Sequence, residues 1–206
     1  MCGGKGTRLE SSHEKPLHSI DGVAMVDRVY RALERSRIET VYAAVSQNAP
    51  ETRAHLETDA TLTTIETAGD GYVSDLVSLL ERPDISTPVL TVAADLPALE
   101  AASIDRILER HAGRDASRTV CVPVSLKRRL GVSVDSSLES REHLTPTGVN
   151  VVGDTATEQT MTDIHYDPRL AINVNRREDA RVATRFLRSD EPNPETSGTA
   201  RSSEGP

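Results

Sequence analysis

Short apolar runs alternate along the chain with segments whose apolar residues recur at helical spacing. Runs bounded by turn residues predict strands, and the segments between them predict helices. A chain in which the two kinds alternate is expected to fold as an α/β domain on a mainly parallel sheet. The predicted strands cover residues 40–46, 61–65, 88–95, 119–125, 148–152 and 170–174.

Three segments predict amphipathic helices. In residues 23–36 and 101–112 the apolar side chains fall on one stripe, which would face the core. The last helix is expected to begin after Asn175, whose side chain can cap it, with Glu178 placed as in a capping box. The predicted buried positions are Met25, Val26, Val29, Tyr30 and Leu33, then Ile104, Ile107, Leu108 and His111, then Ala180, Ala183 and Leu187.

The chain divides into one domain and a tail. Residues 189–206 are rich in Pro, Ser, Gly and Glu and contain no apolar residue larger than alanine. Such a segment cannot bury enough surface to offset the entropy that it loses on ordering. We therefore expect a domain over residues 1–188 and a disordered C-terminal tail over residues 189–206, with no internal repeat.

The charge balance restricts the kinds of partner. The formal net charge is -8 and the sequence pI is about 5.3, whereas surfaces that bind nucleic acid are basic. No apolar run approaches the roughly 18 residues of a membrane-spanning helix, and the first residues lack the apolar stretch of a signal peptide. We expect a soluble, cytoplasmic protein without a nucleic-acid partner, in which an anionic ligand would be small and held locally.

Residue usage adds two expectations. Lys5, Lys15 and Lys127 are the three lysines among 24 lysines and arginines, and acidic residues outnumber basic ones, as in salt-adapted proteins. A halophilic source is one explanation, and a genome of high GC content is the other. Cys2 and Cys121 lie far apart without a metal-binding spacing, so we expect neither a disulfide framework nor a zinc site.

Two short segments combine features that suit a phosphate ligand. Residues 3–8 read Gly-Gly-Lys-Gly-Thr-Arg, so backbone N–H groups can approach an anion closely and two side chains add positive charge. This segment is neither a Walker A motif nor a GxGxxG motif. Lys15, in Glu14-Lys15-Pro16-Leu17, offers a further ammonium to a phosphate oxygen. A flexible glycine-rich terminus and an ordinary surface lysine are the alternatives.

These segments resemble the opening of the MobA-like and sugar-phosphate nucleotidyltransferases, in which GGxGTR is followed by KPL. The resemblance continues in Ala94-Asp95-Leu96-Pro97, where the family's aspartate binds the Mg²⁺ that bridges the phosphates. A carboxylate at the end of a parallel strand also lies where such folds bind ligands. The resemblance implies a Rossmann-like three-layer sandwich of the nucleotide-diphospho-sugar transferase type, nucleotidyl transfer, and a Mg²⁺ cofactor held by Asp95.

Three further segments narrow the resemblance to the archaeal GTP:adenosylcobinamide-phosphate guanylyltransferases. They are residues 66–76, 144–152 and 172–175, and the similarity extends to about Leu187. This family joins GMP to adenosylcobinamide phosphate and releases pyrophosphate during assembly of the cobalamin nucleotide loop. The resemblance therefore implies GTP and adenosylcobinamide phosphate as partners.

The resemblance also implies roles for individual residues. Lys15, Arg8 and Asp95 would be catalytic, through positioning and charge neutralisation. Gly69 and Gly71 would let a base lie against the backbone, although glycines of ordinary turns are the alternative. The implied ligands are Gly3, Gly4, Lys5, Gly6, Thr7, Arg8 and Lys15 for the triphosphate, Ser46, Asn48, Thr67, Gly69 and Gly71 for guanine and ribose, and Gly148 and Asn150 for the acceptor pocket.

The sequence departs from the family at two places. Family members carry an apolar strand before the glycine-rich segment, whereas Met1 and Cys2 alone precede Gly3 here, so the first strand is truncated. Because a sheet without its central strand leaves backbone groups unpaired, we expect the natural protein to carry about six to ten more residues, which mass spectrometry of its N-terminus would detect. Asn173 stands where many relatives carry a second metal-binding aspartate, and an amide is a weaker Mg²⁺ ligand.

Two other functions stay open at this point. A MobA-like or sugar-phosphate nucleotidyltransferase with another acceptor would share the glycine-rich segment and Asp95. A non-catalytic GTP-binding module would bind GTP without releasing pyrophosphate. The sequence is compatible with a monomer and with a homo-oligomer. Assays with different phosphorylated acceptors separate these functions, because the shared residues do not.

Overall fold

A computed structural model describes residues 1–2, 9, 13–112, 115–153 and 160–190. Within these ranges the strands are β1 (Ser19–Ile20), β2 (Val23–Ala24), β3 (Tyr42–Ser46), β4 (Thr63–Thr67), β5 (Val89–Val92), β6 (Ser117–Pro123), β7 (Leu144–Val152) and β8 (Thr160–Ile164). The helices are α1 (Met25–Glu34), α2 (Pro50–Leu56), α3 (Tyr72–Leu80), α4 (Ala101–His111), α5 (Val124–Leu130), α6 (Pro168–Ala171) and α7 (Arg177–Asp190), and a 3₁₀ turn covers Lys15–Leu17.

The strands form a parallel pair, a four-stranded sheet and a small hairpin. β3 and β4 are parallel. The larger sheet has the order β5-β7-β6-β8, in which β7 is antiparallel to both of its neighbours and β6 is parallel to β8. In the β1–β2 hairpin, Asp21 and Gly22 both have positive φ, which tight hairpin turns require. The α/β class is as predicted, and the larger sheet is mixed because β7 reverses direction.

The main core lies between the larger sheet and helices α1 and α4. Alternate residues of β6 and β7 point into it, since successive side chains of a strand face opposite sides. The predicted stripes of α1 and α4 are confirmed, with Tyr30, Leu33 and Leu108 partly buried at their edges. Members of this core include Val29, Ala32, Ile104, Ile107, Val120, Val122, Leu126, Val149 and Val151.

The predicted strand over residues 170–174 is wrong. Leu170 and Ala171 end the short helix α6, and no strand is assigned to residues 172–174. α6 begins with Pro168 after Asp167, whose carboxylate accepts a hydrogen bond from the Arg169 N–H. Because every residue from 170 to 174 is buried, the apolar run carried no periodicity that could distinguish strand from helix.

The predicted cap of the last helix is also wrong. The Asp179 carboxylate, in the first turn of α7, accepts hydrogen bonds from the backbone N–H groups of Asn175 and Arg176, at 3.0 and 2.9 Å, and so fixes the residues that lead into the helix. Ala180 and Ala183 are buried as predicted, and Leu187 is partly buried. The helix continues through residues 189 and 190, which the sequence assigned to the tail, and residues 191–206 lie outside the described residues.

The first two residues bridge the two sheets. The Met1 ammonium donates to the Val92 carbonyl of β5 at 3.1 Å, and the Cys2 N–H donates to the Ala44 carbonyl of β3 at 2.8 Å. Beside them, between β3 and β5, lies a cavity of about 520 Å³ lined mainly by apolar side chains of α1, α3, β3 and β5.

An apolar segment of about six to eight β-branched residues attached ahead of Met1 is expected to stabilise the protein. It can pair with the facing edges of β3 and β5 and fill the cavity, which buries apolar surface and satisfies backbone groups. We expect the unfolding temperature to rise by about 5 °C or more in a thermal melt. A glycine-serine segment of the same length is the control, and equal unfolding temperatures for the two would contradict the prediction.

Two further expectations concern thiols and membranes. Cys2 and Cys121 are both free and buried, and burial raises the pKa of the Cys121 thiol to about 11. At neutral pH the Cys121 thiol is therefore protonated and a poor nucleophile. In the part of the chain that the structure describes, no helix combines the length and the apolar character needed to cross a membrane.

Candidate active site

The end of β5 brings together two of the predicted site residues. The Lys15 ammonium donates to Asp95 Oδ2 at 2.6 Å and to Asn175 Oδ1 at 2.7 Å. The two side chains of this ion pair are 17% and 18% exposed, so water screens their attraction only in part. The sequence predicted roles for Lys15 and Asp95 but gave Asn175 a capping role, and the structure instead turns its amide oxygen to Lys15.

Lys15 is held in place through its neighbour Glu14. The Glu14 carboxylate accepts hydrogen bonds from the N–H groups of Glu51 and Thr52, at 2.9 and 2.8 Å, and from the Thr52 hydroxyl at 2.6 Å. These donors lie at the start of α2, where free N–H groups favour an anion. The 3₁₀ turn then closes through a hydrogen bond from the His18 N–H to the Lys15 carbonyl at 3.1 Å. The backbone of Lys15 is therefore fixed to α2, while its ammonium reaches Asp95.

Asp95 is held from the other side by the segment that follows α6. The Val174 N–H donates to the Asp95 carbonyl at 2.9 Å. The Asn173 amide nitrogen donates to Asp95 Oδ1 at 3.2 Å and to the Thr147 carbonyl at 2.8 Å. Both carboxylate oxygens of Asp95 thus accept a hydrogen bond, one from Asn173 and one from Lys15.

A second lysine stands behind Asn173. Lys127 of α5 is 3% exposed, and its ammonium donates to Asn173 Oδ1 at 2.8 Å. Burial lowers the pKa of Lys127, and the nearby carboxylates of Asp95, Asp179 and Asp135 offset part of that effect. The sequence analysis assigned no role to Lys127, although lysine is rare in this chain, with three lysines among 24 lysines and arginines, and a lysine was therefore a signal.

The residues predicted for guanine and ribose gather at the ends of β3 and β4. Ser46 and Thr67 are paired in register across these parallel strands. A Cβ on Gly69 would lie 2.7 Å from Asn48 Nδ2 and 3.0 Å from the Ser46 Cβ, so all four residues are close neighbours. The Ser46 hydroxyl is buried and has no hydrogen-bond partner among the described residues, which leaves it available to a ligand.

The loop between β4 and α3 is held by an aspartate that the sequence analysis missed. Asp75, in the first turn of α3 and 5% exposed, accepts a hydrogen bond from the Gly69 N–H at 2.9 Å. Gly71 directly precedes α3 with φ +120°, and a Cβ built there meets no atom within 4 Å. Gly71 is therefore required by its backbone conformation, while its surroundings stay open.

The two residues predicted for the acceptor lie on β7 and differ in their surroundings. Gly148 has φ +83°, its carbonyl accepts from the Ala93 N–H at 2.9 Å, and a Cβ there would lie 2.8 Å from the Ala93 Cβ. Asn150 donates to the Tyr72 hydroxyl at 2.9 Å, and that hydroxyl lies 2.7 Å from Thr91 Oγ1. Gly148 thus belongs to the surroundings of Asn173, whereas Asn150 faces the start of α3.

Replacing Gly148 by alanine is expected to lower the free energy of unfolding by about 2–4 kcal/mol. A positive φ costs an L residue about 1–2 kcal/mol, and the new methyl group would collide with Ala93. Gly22→Ala is the control, because Gly22 has φ +78° but open space around its Cβ position. The free energy of unfolding of both variants is measured in urea, and the difference between their losses gives the cost of the collision. Equal losses would show that no collision occurs.

The oxygen atoms at this site suit a hard divalent cation that also binds phosphate. The described residues contain no cluster of three His, Cys, Asp or Glu that could enclose a metal by itself. Mg²⁺ commonly takes one or two carboxylates and completes its shell with phosphate oxygens and water. Asp95 fits that arrangement, because one of its oxygens is oriented by a hydrogen bond from Asn173 and the other accepts a hydrogen bond from Lys15.

The residues predicted to bind the triphosphate in the glycine-rich segment lie outside the described residues. They are Gly3, Gly4, Lys5, Gly6, Thr7 and Arg8.

Known sequences are similar to this chain over most of its length. The MobA-like NTP transferase domain matches residues 1–190. The adenosylcobinamide-phosphate guanylyltransferase of Methanocaldococcus jannaschii is 28% identical over 198 residues, which cover 92% of this chain and 96% of that protein. The bifunctional protein GlmU of Rubrobacter xylanophilus is 32% identical over 123 residues, which cover 59% of this chain and 26% of that protein.

Solved structures show the same fold. The CMP:2-keto-3-deoxy-manno-octonic acid synthetase in complex with CTP superposes with a TM-score of 0.61 at 13% identity, covering 88% of this chain and 95% of that one. The 4-diphosphocytidyl-2C-methyl-D-erythritol synthase of Anaerococcus prevotii gives a TM-score of 0.62 at 11% identity, covering 88% and 93%. The fold is that of the nucleotide-diphospho-sugar transferases, as predicted. With the match to residues 1–190, the chain belongs to the MobA-like NTP transferase family and is a nucleotidyltransferase.

Proposed function

We propose that this nucleotidyltransferase moves the guanylyl group of GTP to adenosylcobinamide phosphate and releases pyrophosphate. The observation that carries nucleotidyl transfer in this proposal is the contact of Lys15 with Asp95 after β5, which would place a cation for phosphate beside a carboxylate for Mg²⁺. The similarity to the guanylyltransferase of Methanocaldococcus jannaschii extends over nearly the whole of both chains and supports this acceptor.

In this proposal Lys15 exchanges partners when the nucleotide arrives. A triphosphate carries more negative charge than one carboxylate, so the ammonium of Lys15 would turn from Asp95 to a phosphate oxygen. That exchange would leave Asp95 Oδ2 accessible to a cation, while Asn173 keeps Oδ1 in place. Asp95 would hold Mg²⁺, which supplies charge neutralisation on the phosphates.

The nucleoside would occupy the ends of β3 and β4. The Ser46 hydroxyl, which lacks a hydrogen-bond partner among the described residues, supports a polar ligand at this place, and Asn48 lies beside it against Gly69. Thr67 and Gly71 would border the same site. Gly148 and Asn150 would border the acceptor, with Asn150 linked to the exposed Tyr72 at the start of α3.

The chemistry requires no general base from the protein. An oxygen of the acceptor phosphate is already anionic and would attack the α-phosphorus of GTP, and the bond from this phosphorus to the bridging oxygen of pyrophosphate would break. Lys15, together with Lys5 and Arg8 of the glycine-rich segment, would neutralise the charge on the departing pyrophosphate. Catalysis would then rest on the orientation of the two substrates and on electrostatics.

Pyrophosphate release tests the proposal. The protein is incubated in high KCl with Mg²⁺ and either GTP or ATP, with and without adenosylcobinamide phosphate. Release that requires both GTP and the corrinoid is the expected result. Release with another phosphorylated acceptor would reassign the substrate within the family, and tight GTP binding without release on any acceptor of a panel would favour a non-catalytic module.

A further inference from the structure

We propose that Lys127 and Asn173 together position the Asp95 carboxylate for cation binding, and that Asn173 acts there as a hydrogen-bond donor and not as a cation ligand. The proposal rests on the proposed function, since it concerns the residue that would hold Mg²⁺. Lys127 and Asn173 are positioning residues in this scheme, because the hydrogen bond from Lys127 goes to the amide of Asn173, and that amide in turn donates to Asp95.

The orientation of the Asn173 amide follows from its three partners. Its oxygen faces the Lys127 ammonium at 2.8 Å, and its nitrogen faces Asp95 Oδ1 at 3.2 Å and the Thr147 carbonyl at 2.8 Å. An ammonium can donate but not accept, and both oxygens can accept but not donate. A flipped amide would face like groups on every side, so Lys127 fixes which end of Asn173 points to Asp95.

Burial raises the free-energy cost of any other orientation of the Asn173 amide. Lys127 is 3% exposed and Asn173 is 7% exposed, so water offers little replacement for a lost partner. A buried ammonium is costly unless its donors are satisfied, and a buried amide that faces like groups is costly as well. Lys127 lies in α5 next to Leu126, a residue of the main core, so its burial has a cost in free energy. In the proposal this cost is offset because Lys127 holds Asn173 as a hydrogen-bond donor toward Asp95.

The arrangement also explains why residue 173 is an amide. An ionised aspartate accepts hydrogen bonds and cannot donate one, so it would repel Asp95 and could pair directly with Lys127. The amide carries no charge, so it does not repel Asp95. Its oxygen accepts a hydrogen bond from Lys127, and its nitrogen donates one to Asp95. Because that oxygen is occupied by Lys127, it is not directed at a cation on Asp95.

A double-mutant cycle tests the proposal through nucleotide affinity. The dissociation constant of a fluorescent GTP analogue is measured with Mn²⁺ and again with a chelator, and the ratio of the two values gives the contribution of the metal. The proteins are the wild type, Asn173→Ala, Lys127→Met and the double variant. The cycle is needed because loss of the Lys127 charge alone would favour a nearby cation.

The expected results differ in sign between the alternatives. Asn173→Ala should reduce the contribution of Mn²⁺ by about 10- to 100-fold, as for other residues that orient a metal ligand. Lys127→Met should reduce the contribution of Mn²⁺ about tenfold more in the protein that has Asn173 than in the Asn173→Ala background. The reason is that only the protein with Asn173 has an amide orientation that Lys127 can hold. If Lys127 merely blocks a ligand oxygen of Asn173, its removal will instead strengthen Mn²⁺ binding when Asn173 is present, and this would overturn the proposal.

Leu126→Ala is the control for damage to α5. Leu126 is 5% exposed and packs into the main core, so its truncation should lower the unfolding temperature but leave the contribution of Mn²⁺ unchanged. Equal effects of Lys127→Met in both backgrounds would show a purely structural role and overturn the inference. If Lys127→Met does not fold, an unchanged Mn²⁺ contribution in Asn173→Ala overturns it alone. A wild type with no Mn²⁺ contribution overturns the metal role of Asp95 itself.

Discussion

Asp95→Ala is expected to lower kcat for pyrophosphate release by about 10²- to 10³-fold or more, because the cation that neutralises the phosphates would lose its protein ligand. The fold should survive, since the Asp95 backbone carbonyl keeps its hydrogen bond from Val174. Steady-state release from GTP at saturating Mg²⁺ measures the activity, and a thermal melt checks the fold.

The matched control for this change is Asp95→Asn. The amide has the size of the carboxylate, but it lacks the negative charge, and its single oxygen can accept from Lys15 or from Asn173 but not from both in the present arrangement. If the charge holds the cation, Asp95→Asn should be nearly as inactive as Asp95→Ala. Activity close to that of the wild type in either folded variant would remove Asp95 from the metal site.

Lys15→Ala is expected to lower kcat/KM for GTP by about 10²- to 10³-fold, because a preorganised cation on the triphosphate is lost. The same enzyme assay measures this effect, and GTP binding in the absence of metal shows how much of it arises in the ground state. Removal of Lys15 also leaves Asp95 with the donor of Asn173, so a modest fall in the unfolding temperature is expected.

Lys15→Arg separates charge from shape. Arginine keeps the positive charge, but its planar fork differs from the compact ammonium that fits between Asp95 and Asn175 at 2.6 and 2.7 Å. We expect it to restore GTP binding more than turnover. Wild-type kcat/KM in Lys15→Ala would place the phosphate-binding cation elsewhere in the chain.

The elements with clear periodicity could be predicted from the sequence. The apolar stripe that includes Val29 predicted α1, and the apolar run after Pro88 predicted β5. The direction of a strand leaves no such trace, because an apolar run reads the same whether its neighbour is parallel or antiparallel. β7 therefore turned out antiparallel to β5 and β6 in a sheet expected to be mainly parallel. Edge strand β8, with two exposed residues at its start, had too little apolar pattern to be predicted.

The candidate site was predictable where short motifs mark it and not where distant residues meet. Lys15 and Asp95 stand in recognisable motifs, although 80 positions separate them. Lys127 stands in no such motif, and its contact with Asn173 depends on how α5 and α6 pack. Asn175 lies in the segment 172–175 that carries the resemblance, but its contact with Lys15 depends on the fold and could not be predicted. Asn175 was assigned to a helix cap because Asn is common there, but its side-chain oxygen accepts from Lys15, and the start of α7 is held by Asp179.

The ion pair between Lys15 and Asp95 has a consequence for the resting enzyme. Carboxylates that converge on a metal repel one another when the metal is withdrawn, and such proteins often lose stability in a chelator. Here a counter-ion is built into the chain and lies 2.6 Å from the carboxylate. EDTA is therefore expected to leave the unfolding temperature unchanged. If Asp95 holds Mg²⁺ as proposed, a cell starved of magnesium would keep this enzyme folded but inactive, and activity would return with the ion.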